Sequence, residues 1–193
     1  MPGHMTAWGT ALPHDNITMS CGYNHHQANF SQADVSNEKT FLIIRKVVSE
    51  ISPLFPDVYW GFGGDETCDW MSSPHIAAWA AVQSGMSGFD SNMSSHAAIY
   101  RYFAKRVQEM LPKEKLPVWW NDAVVQNVSS PPGTLYWNWG AGCGHYDRKS
   151  KQSVNTCPLG DELTAMLKQG RQIIQSKGWY LPTYSALVGS IST

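Results

Sequence analysis

The stretch Val58-Tyr59-Trp60-Gly61-Phe62-Gly63-Gly64-Asp65-Glu66 constrains this chain more than any other. Its aromatic and β-branched run predicts a short buried strand, and Gly63-Gly64 marks where the strand breaks and another group comes close to the backbone. Asp65 and Glu66 then arrive at the strand's carboxyl end, where α/β folds assemble their chemistry. Extended geometry would send adjacent side chains to opposite faces, so the two acids share a pocket only if the chain leaves the strand conformation at the glycines. Spacing alone fits equally a Gly-Gly turn followed by two acids at a helix N-terminus.

The surrounding chain supplies further strands and helices in alternation. Leu42, Ile43, Val47, Val48 and Ile51 recur near helical periodicity behind Asn37, a candidate cap, and Pro53 and Pro56 end that helix. Ser73-Pro74 opens a second helix running through Ile76, Trp79, Ala80 and Val82 to Gly85. Ile99, Phe103, Val107 and Met110 form another apolar face, closed by Pro112. Pro117 to Asp122, Thr134 to Trp139 and Arg171 to Ile174 read as three more strands, with a short helix from Asp161 to Gly170 whose Leu163, Met166 and Leu167 point inward. In the strand from Thr134, alternation puts Tyr136 and Asn138 on one face and Trp137 and Trp139 on the other. Residues 10–37 and 140–158, rich in His, Asn, Ser, Gly and Lys, read as long loops. Strand-helix alternation of this kind predicts parallel strands with right-handed crossovers in an α/β fold.

Charge and composition exclude some functions. The 193 residues are 42% hydrophobic and 15% charged with a formal net charge of −1, which points to neither disorder, nor nucleic acid, nor an anionic membrane. Nine Trp with eight Tyr and six Phe exceed what packing usually needs and favour a site where aromatic faces stack on sugar rings. His25-His26 lack a third ligand at useful spacing and read as solvent-exposed, so no metal site is expected. Cys21, Cys68, Cys143 and Cys157 form an even set without any CxxC pair, and sequence proximity suggests joining Cys143 to Cys157. Four sequons begin at Asn16, Asn29, Asn92 and Asn127, all in polar stretches. Paired cysteines with several sequons favour a lysosomal or secreted protein, although no signal peptide and no bilayer-length apolar run is present.

Phe62-Gly63-Gly64-Asp65-Glu66 resembles the Gly-Gly-Asp-Glu signature of the β-N-acetylhexosaminidases of glycoside hydrolase family 20. Phe55-Pro56-Asp57, Trp70 with Pro74, Pro2-Gly3-His4 with Trp8-Gly9, and Trp179-Tyr180-Leu181 resemble further blocks of that family, in its order and at about its spacing. The similarity runs from the first residues to about Leu181; residues 182–193 resemble nothing recognisable. It implies part of a (β/α)8 TIM barrel, about strands four to seven plus the end of strand three, in a domain that takes roughly 250 residues when complete. Strands one, two and eight would then be absent, and the chain is expected to be a fragment or a shortened gene model. Pro182 stands where the family often has an acidic or amide residue.

The resemblance also implies a chemistry. Family 20 is substrate-assisted: the sugar's 2-acetamido oxygen attacks the anomeric carbon, so the enzyme needs one group to orient the acetamido nitrogen and another to protonate the leaving oxygen. By match Asp65 takes the first role and Glu66 the second. Repulsion between neighbouring carboxylates and an apolar wall both favour keeping one acid of such a pair protonated. His4 matches a histidine that supports the acid/base glutamate, and Tyr180 a tyrosine that hydrogen-bonds the acetamido oxygen. Trp120, Trp139 and Trp179 match substrate-binding aromatics, and Asp122 replaces the glutamate of a Trp-x-Glu block. Cys21 and Cys68 match positions bridged in lysosomal members. The implied partners are glycans ending in N-acetylhexosamine, no cofactor is implied, and full-length relatives can be dimers. The competing reading is a non-catalytic carbohydrate-binding or degenerate relative.

Overall fold

A computed structural model describes residues 1–21, 31–86, 89–138, 144–147, 152–155 and 166–175. The chain divides into two units, Met1–Thr134 and Leu135–Thr193.

In the first unit, helix α1 (Thr6–Ala11) leads into strands β1 (Thr18–Ser20) and β2 (Ser31–Ala33), which pair antiparallel with Met19 opposite Gln32. Ile17, Met19, Ala33 and Val35 are buried, so the described part of the segment expected to be an open loop carries a strand pair with its own apolar side. Asn37 caps helix α2 (Glu38–Ile51) as expected, its side chain accepting the Lys39 amide at 3.0 Å. The buried face of α2 is Thr40, Phe41, Ile44 and Val48, whereas Leu42 and Ile51 are exposed. The helix has more apolar residues than one stripe can bury, and the stripe that wins is the one facing helix α4 (His96–Gln108).

The contact between α2 and α4 is aromatic and charged together. Phe41 meets Tyr102 and Phe103 at ring separations of 5.8 and 5.9 Å, and the Arg106 guanidinium lies 4.1 Å from the Phe41 centroid. Arg106 also donates twice to the Glu38 carboxylate, at 2.9 and 2.7 Å, which holds that carboxyl below its ordinary range. Helix α3 (Pro74–Gln83) starts at Ser73-Pro74 as predicted. On α4 the buried positions Ile99, Tyr100, Phe103 and Val107 form one continuous stripe. Fully burying a side chain of this size contributes about 1.5–3 kcal/mol.

Strand β3 (Tyr59–Gly63) and strand β4 (Leu116–Trp120) pair in parallel, as the strand-helix alternation predicts. Between them Phe62 stacks on Trp119 with centroids 5.0 Å apart, and both are buried. Helix α5 (Asp122–Val125) follows β4 directly, a turn that no periodicity in the sequence announces.

In the second unit, β5 (Leu135–Asn138) pairs in parallel with β8 (Gln172–Gln175), Tyr136 opposite Ile173. Tyr136 and Asn138 are buried and Trp137 is exposed, the alternation expected. Strands β6 (Gly144–Asp147) and β7 (Gln152–Asn155) form an antiparallel pair inside the segment expected to be a loop. Its short polar stretches give no apolar alternation to announce strands. In the helical turn at 166–168, Met166 is buried as expected, but Leu167 is 58% exposed, because neighbouring helix positions lie about 100° apart and one stripe takes only one of them. Arg171 donates to the Tyr136 hydroxyl at 2.8 Å and lies over its ring, tying the start of β8 to β5.

Candidate active site

The parallel pairing of β3 with β4 slips at Phe62: Gly61 faces Val118, and Gly63, two residues on, faces Trp119. Such a bulge bends the strand and re-aims the residues beyond it. Gly63 and Gly64 then take φ of 76° and 108°, conformations open to glycine at low cost. The chain thus leaves extended geometry at the two residues where it must if the acids are to share a pocket. Gly64 also has no room for a side chain, since an added Cβ would meet the Tyr100 hydroxyl and Trp119 Cε3.

Tyr100 holds this turn from below. It is buried on α4, and its hydroxyl donates to the Gly64 carbonyl at 2.6 Å. Burial, and after it the negative charges of Asp122 and Asp65, push its hydroxyl well above the ordinary tyrosine range, so it remains a donor. Periodicity places Tyr100 on the stripe of Phe103 and Val107, which the sequence marks as core alone. Its polar tip is the one available signal: a buried tyrosine hydroxyl requires a partner.

Pro2-Gly3-His4 closes the other side. A Cβ on Gly3 would come within 2.6 Å of the Asp65 carbonyl oxygen, so the two backbones touch through a glycine. His4, at φ 54°, turns its ring toward the acids. His4 Nε2 lies 3.3 Å from Asp65 Oδ2 and 3.3 Å from Glu66 Oε2. Asp65 is the more enclosed of the pair, 23% exposed against 44% for Glu66. The two carboxylates expected to act together therefore converge on one nitrogen.

Two aromatic and acidic residues of β4 and α5 stand nearby. Trp120 is half-buried, with its indole 3.5 Å from the position a Gly63 Cβ would occupy, and Trp119 points the opposite way into the core. Asp122 begins α5 and acts electrostatically on the same Tyr100 hydroxyl as Asp65. Trp139, Trp179 and Tyr180 lie outside the described residues, as do Asn29, Cys143, Cys157 and His25-His26. Asn16, Asn92 and Asn127 are exposed.

The segment after Glu66 is anchored three ways. Cys68 is bridged to Cys21, the pairing that the resemblance implies. The fully buried Gln32 side chain accepts the Cys68 amide at 2.8 Å and donates to the Cys68 carbonyl at 3.0 Å, satisfying both backbone groups as a neighbouring strand would. Trp70 donates from Nε1 to the Ala33 carbonyl at 2.8 Å. Sequence reasoning misses Gln32, which lies in a polar stretch where nothing marks one glutamine from another.

Thr67, next to Glu66, meets His96 Nε2 at 3.2 Å, and the His96 ring stacks on Trp70 with centroids 5.1 Å apart. Burial, opposed by the Asp69 carboxylate and the Cys68 backbone, lowers the proton affinity of His96 below its ordinary value. The unfolded chain accepts this proton near pH 6.5, at about the reference value, while the folded imidazole resists it. Folding stability should therefore fall as the pH drops below about 6.5 and stop falling on this account once the folded imidazole is also protonated. Urea midpoints at about pH 7.5 and 5, on either side of the reference value, check this. The difference between them should shrink in His96→Asn, and an unchanged difference would refute the assignment.

The model of glycosyl hydrolase family 20, catalytic domain, matches residues 1–187. Among curated proteins, β-hexosaminidase subunit A1 of Dictyostelium discoideum is 28% identical over 184 residues, covering 94% of this chain and 29% of the relative. β-hexosaminidase subunit alpha of Bos taurus is 35% identical over 183 residues, covering 93% of this chain and 31% of the relative. The chain thus spans under a third of the length of these relatives. Among solved structures, a Flavobacterium johnsoniae chitobiase superposes with a TM-score of 0.65 at 24% identity, covering 93% of this chain and 25% of that one. An exo β-N-acetylglucosaminidase from Vibrio harveyi, solved with N-acetylglucosamine, gives a TM-score of 0.64 at 19% identity over 91% of this chain and 24% of that one. These two likenesses concern the fold.

Proposed function

Because the chain belongs to glycosyl hydrolase family 20, we propose that it carries the acid pair of an exo-acting β-N-acetylhexosaminidase that removes terminal β-linked N-acetylglucosamine or N-acetylgalactosamine. The observation that carries this reading is the convergence of Asp65 and Glu66 on His4 Nε2, each at 3.3 Å. In the proposed reaction Asp65 holds the acetamido N–H while the acetamido oxygen attacks the anomeric carbon. Glu66 gives its proton to the departing glycosidic oxygen, and a cyclic oxazolinium ion forms. Glu66 then takes a proton from water as that water opens the ring at the anomeric carbon, and configuration is retained.

His4 is assigned to position Glu66 and Asp65, and Trp120 to form a wall of the acetamido cage beside Gly63. Trp139, Trp179 and Tyr180 are assigned to the same cage from the sequence, Tyr180 to the acetamido oxygen. Asp122 is assigned a contact with the sugar. Strands β3, β4, β5 and β8 are assigned to barrel strands four to seven, residues 1–9 to the end of strand three and its loop, and residues 182–193 to no element. The Cys21–Cys68 bridge and the exposed sequons support a lysosomal or secreted location, with N-glycans at Asn16, Asn29, Asn92 and Asn127. Among the described residues no helix is long and apolar enough to cross a membrane. Glycans ending in N-acetylhexosamine are the proposed partners. The reading as a binding module without catalysis is disfavoured by the acids converging as a reaction would need.

Release of a chromogenic phenol from its N-acetyl-β-glucosaminide, blocked by a thiazoline mimic of the cyclic intermediate, is the expected result. Folded protein that neither turns over the glycoside nor binds the thiazoline would refute the proposal.

A further inference from the structure

Glu66 has a left-handed backbone, φ 50°, a conformation that is costly for a residue with a side chain and persists only where its neighbours over-determine it. Before it, Tyr100 holds Gly64, and the Gly3 backbone packs against Asp65 and Glu66. After it, the very next residue, Thr67, places Oγ1 3.2 Å from His96 Nε2. On packing grounds alone an imidazole is a poor choice for that place. Its ring stacks on Trp70 with 24° between the planes and lies 6.2 Å from the Tyr100 ring, aromatic surroundings that a phenyl ring would suit as well. Its Nδ1 is buried without a hydrogen-bond partner among the described residues, and a buried polar atom left so destabilises the fold. What phenylalanine could not reproduce is the polar hold on Thr67 and the adjoining Cys68 backbone. A hydroxyl both donates and accepts, so the neutral ring makes the Thr67 contact in either tautomer. Departures of this kind from good packing are expected where function asks for them.

We propose that His96 is a positioning residue for the reaction assigned above: through Thr67 it fixes the left-handed backbone of Glu66 and so aims the proton-donating carboxyl at the departing oxygen. The inference rests on that reaction and adds to it a residue that acts through its neighbour rather than on the substrate.

Steady-state kinetics on a glycoside with a sugar leaving group, beside thiazoline titration, tests this. A misplacement of about 1 Å can cost on the order of 100-fold in rate. Gln32 and the Cys21–Cys68 bridge still hold the segment, so His96→Phe should lower kcat about tenfold with thiazoline affinity unchanged. Thr67→Val removes the partner hydroxyl at nearly constant shape and should give the same loss, and the double variant should lose no more than either alone. Thr67→Val also carries the test if phenylalanine disturbs the packing on Trp70. A parent that turns over while both single variants keep its kcat overturns the inference and leaves the reaction standing. Losses that add in the double variant, or a kcat that falls only together with thiazoline affinity, make His96 a structural residue and overturn it too. A parent without turnover removes the reaction and this inference with it.

Discussion

Replacing Glu66 by Gln is expected to lower kcat on an aryl N-acetyl-β-glucosaminide about 100- to 10,000-fold, the range that a positioned general acid contributes. Binding of a thiazoline inhibitor should be roughly unchanged, because glutamine fills the same space and the inhibitor asks for no proton. The loss should grow as the leaving group becomes more basic: a nitrophenolate departs with little help, whereas a sugar alkoxide needs the proton fully. Asp65→Asn should behave differently. In the proposed reaction the acetamido group is both the binding handle and the nucleophile, so weakening its orientation lowers affinity for the thiazoline together with kcat. Steady-state kinetics on two leaving groups with inhibitor titrations separate the cases. A Glu66→Gln protein with near-normal kcat on a sugar leaving group would take the acid role away from Glu66.

How far this site can be foreseen depends on what kind of order each part uses. The Gly63-Gly64-Asp65-Glu66 turn is local: glycine freedom and adjacent acids are written in consecutive residues, and both glycines take the positive φ that their type predicts, whereas the positive φ of 50° at Glu66 is announced by nothing in the sequence. The parallel pairing of β3 with β4 and of β5 with β8 follows from alternation, and the Asn37 cap from its type and place. The supports of the turn are not local. Tyr100 reaches Gly64 from 36 residues away, and Gln32 reaches Cys68 across the same separation. Periodicity tells that Tyr100 is buried but not what its hydroxyl finds, and a buried glutamine in a polar stretch carries no pattern at all. Burial along α2 shows the converse limit. Leu42 and Ile51 have the right hydrophobicity, yet the neighbour that selects the buried stripe, α4, is set by the tertiary fold.

Opening the Cys21–Cys68 bridge is expected to lower the free energy of unfolding by about 4 kcal/mol, the chain-entropy value for a loop of this length. The sequence separation is 47 residues, and the loop encloses β2, α2 and β3 together with Asp65 and Glu66. Against a typical domain stability of about 5–15 kcal/mol such a loss is a large share. The acids themselves should move little in whatever remains folded. Gln32 still grips both backbone groups of Cys68, and Tyr100 still holds Gly64, so the geometry has supports that the sulfurs do not supply. The Cys21→Ser/Cys68→Ser protein should therefore unfold at much lower denaturant with little change in thiazoline affinity at low temperature. Gln32→Leu should show the opposite balance. It leaves the half-buried Cys68 amide without its partner, costs about 1–3 kcal/mol, and frees the segment just beyond Glu66. Denaturant unfolding of the two variants beside inhibitor titration distinguishes a bridge that stabilises from a glutamine that positions. A double serine variant that unfolds within about 1 kcal/mol of the parent would refute the entropic account, given the roughly 2–4 kcal/mol typical of such bridges.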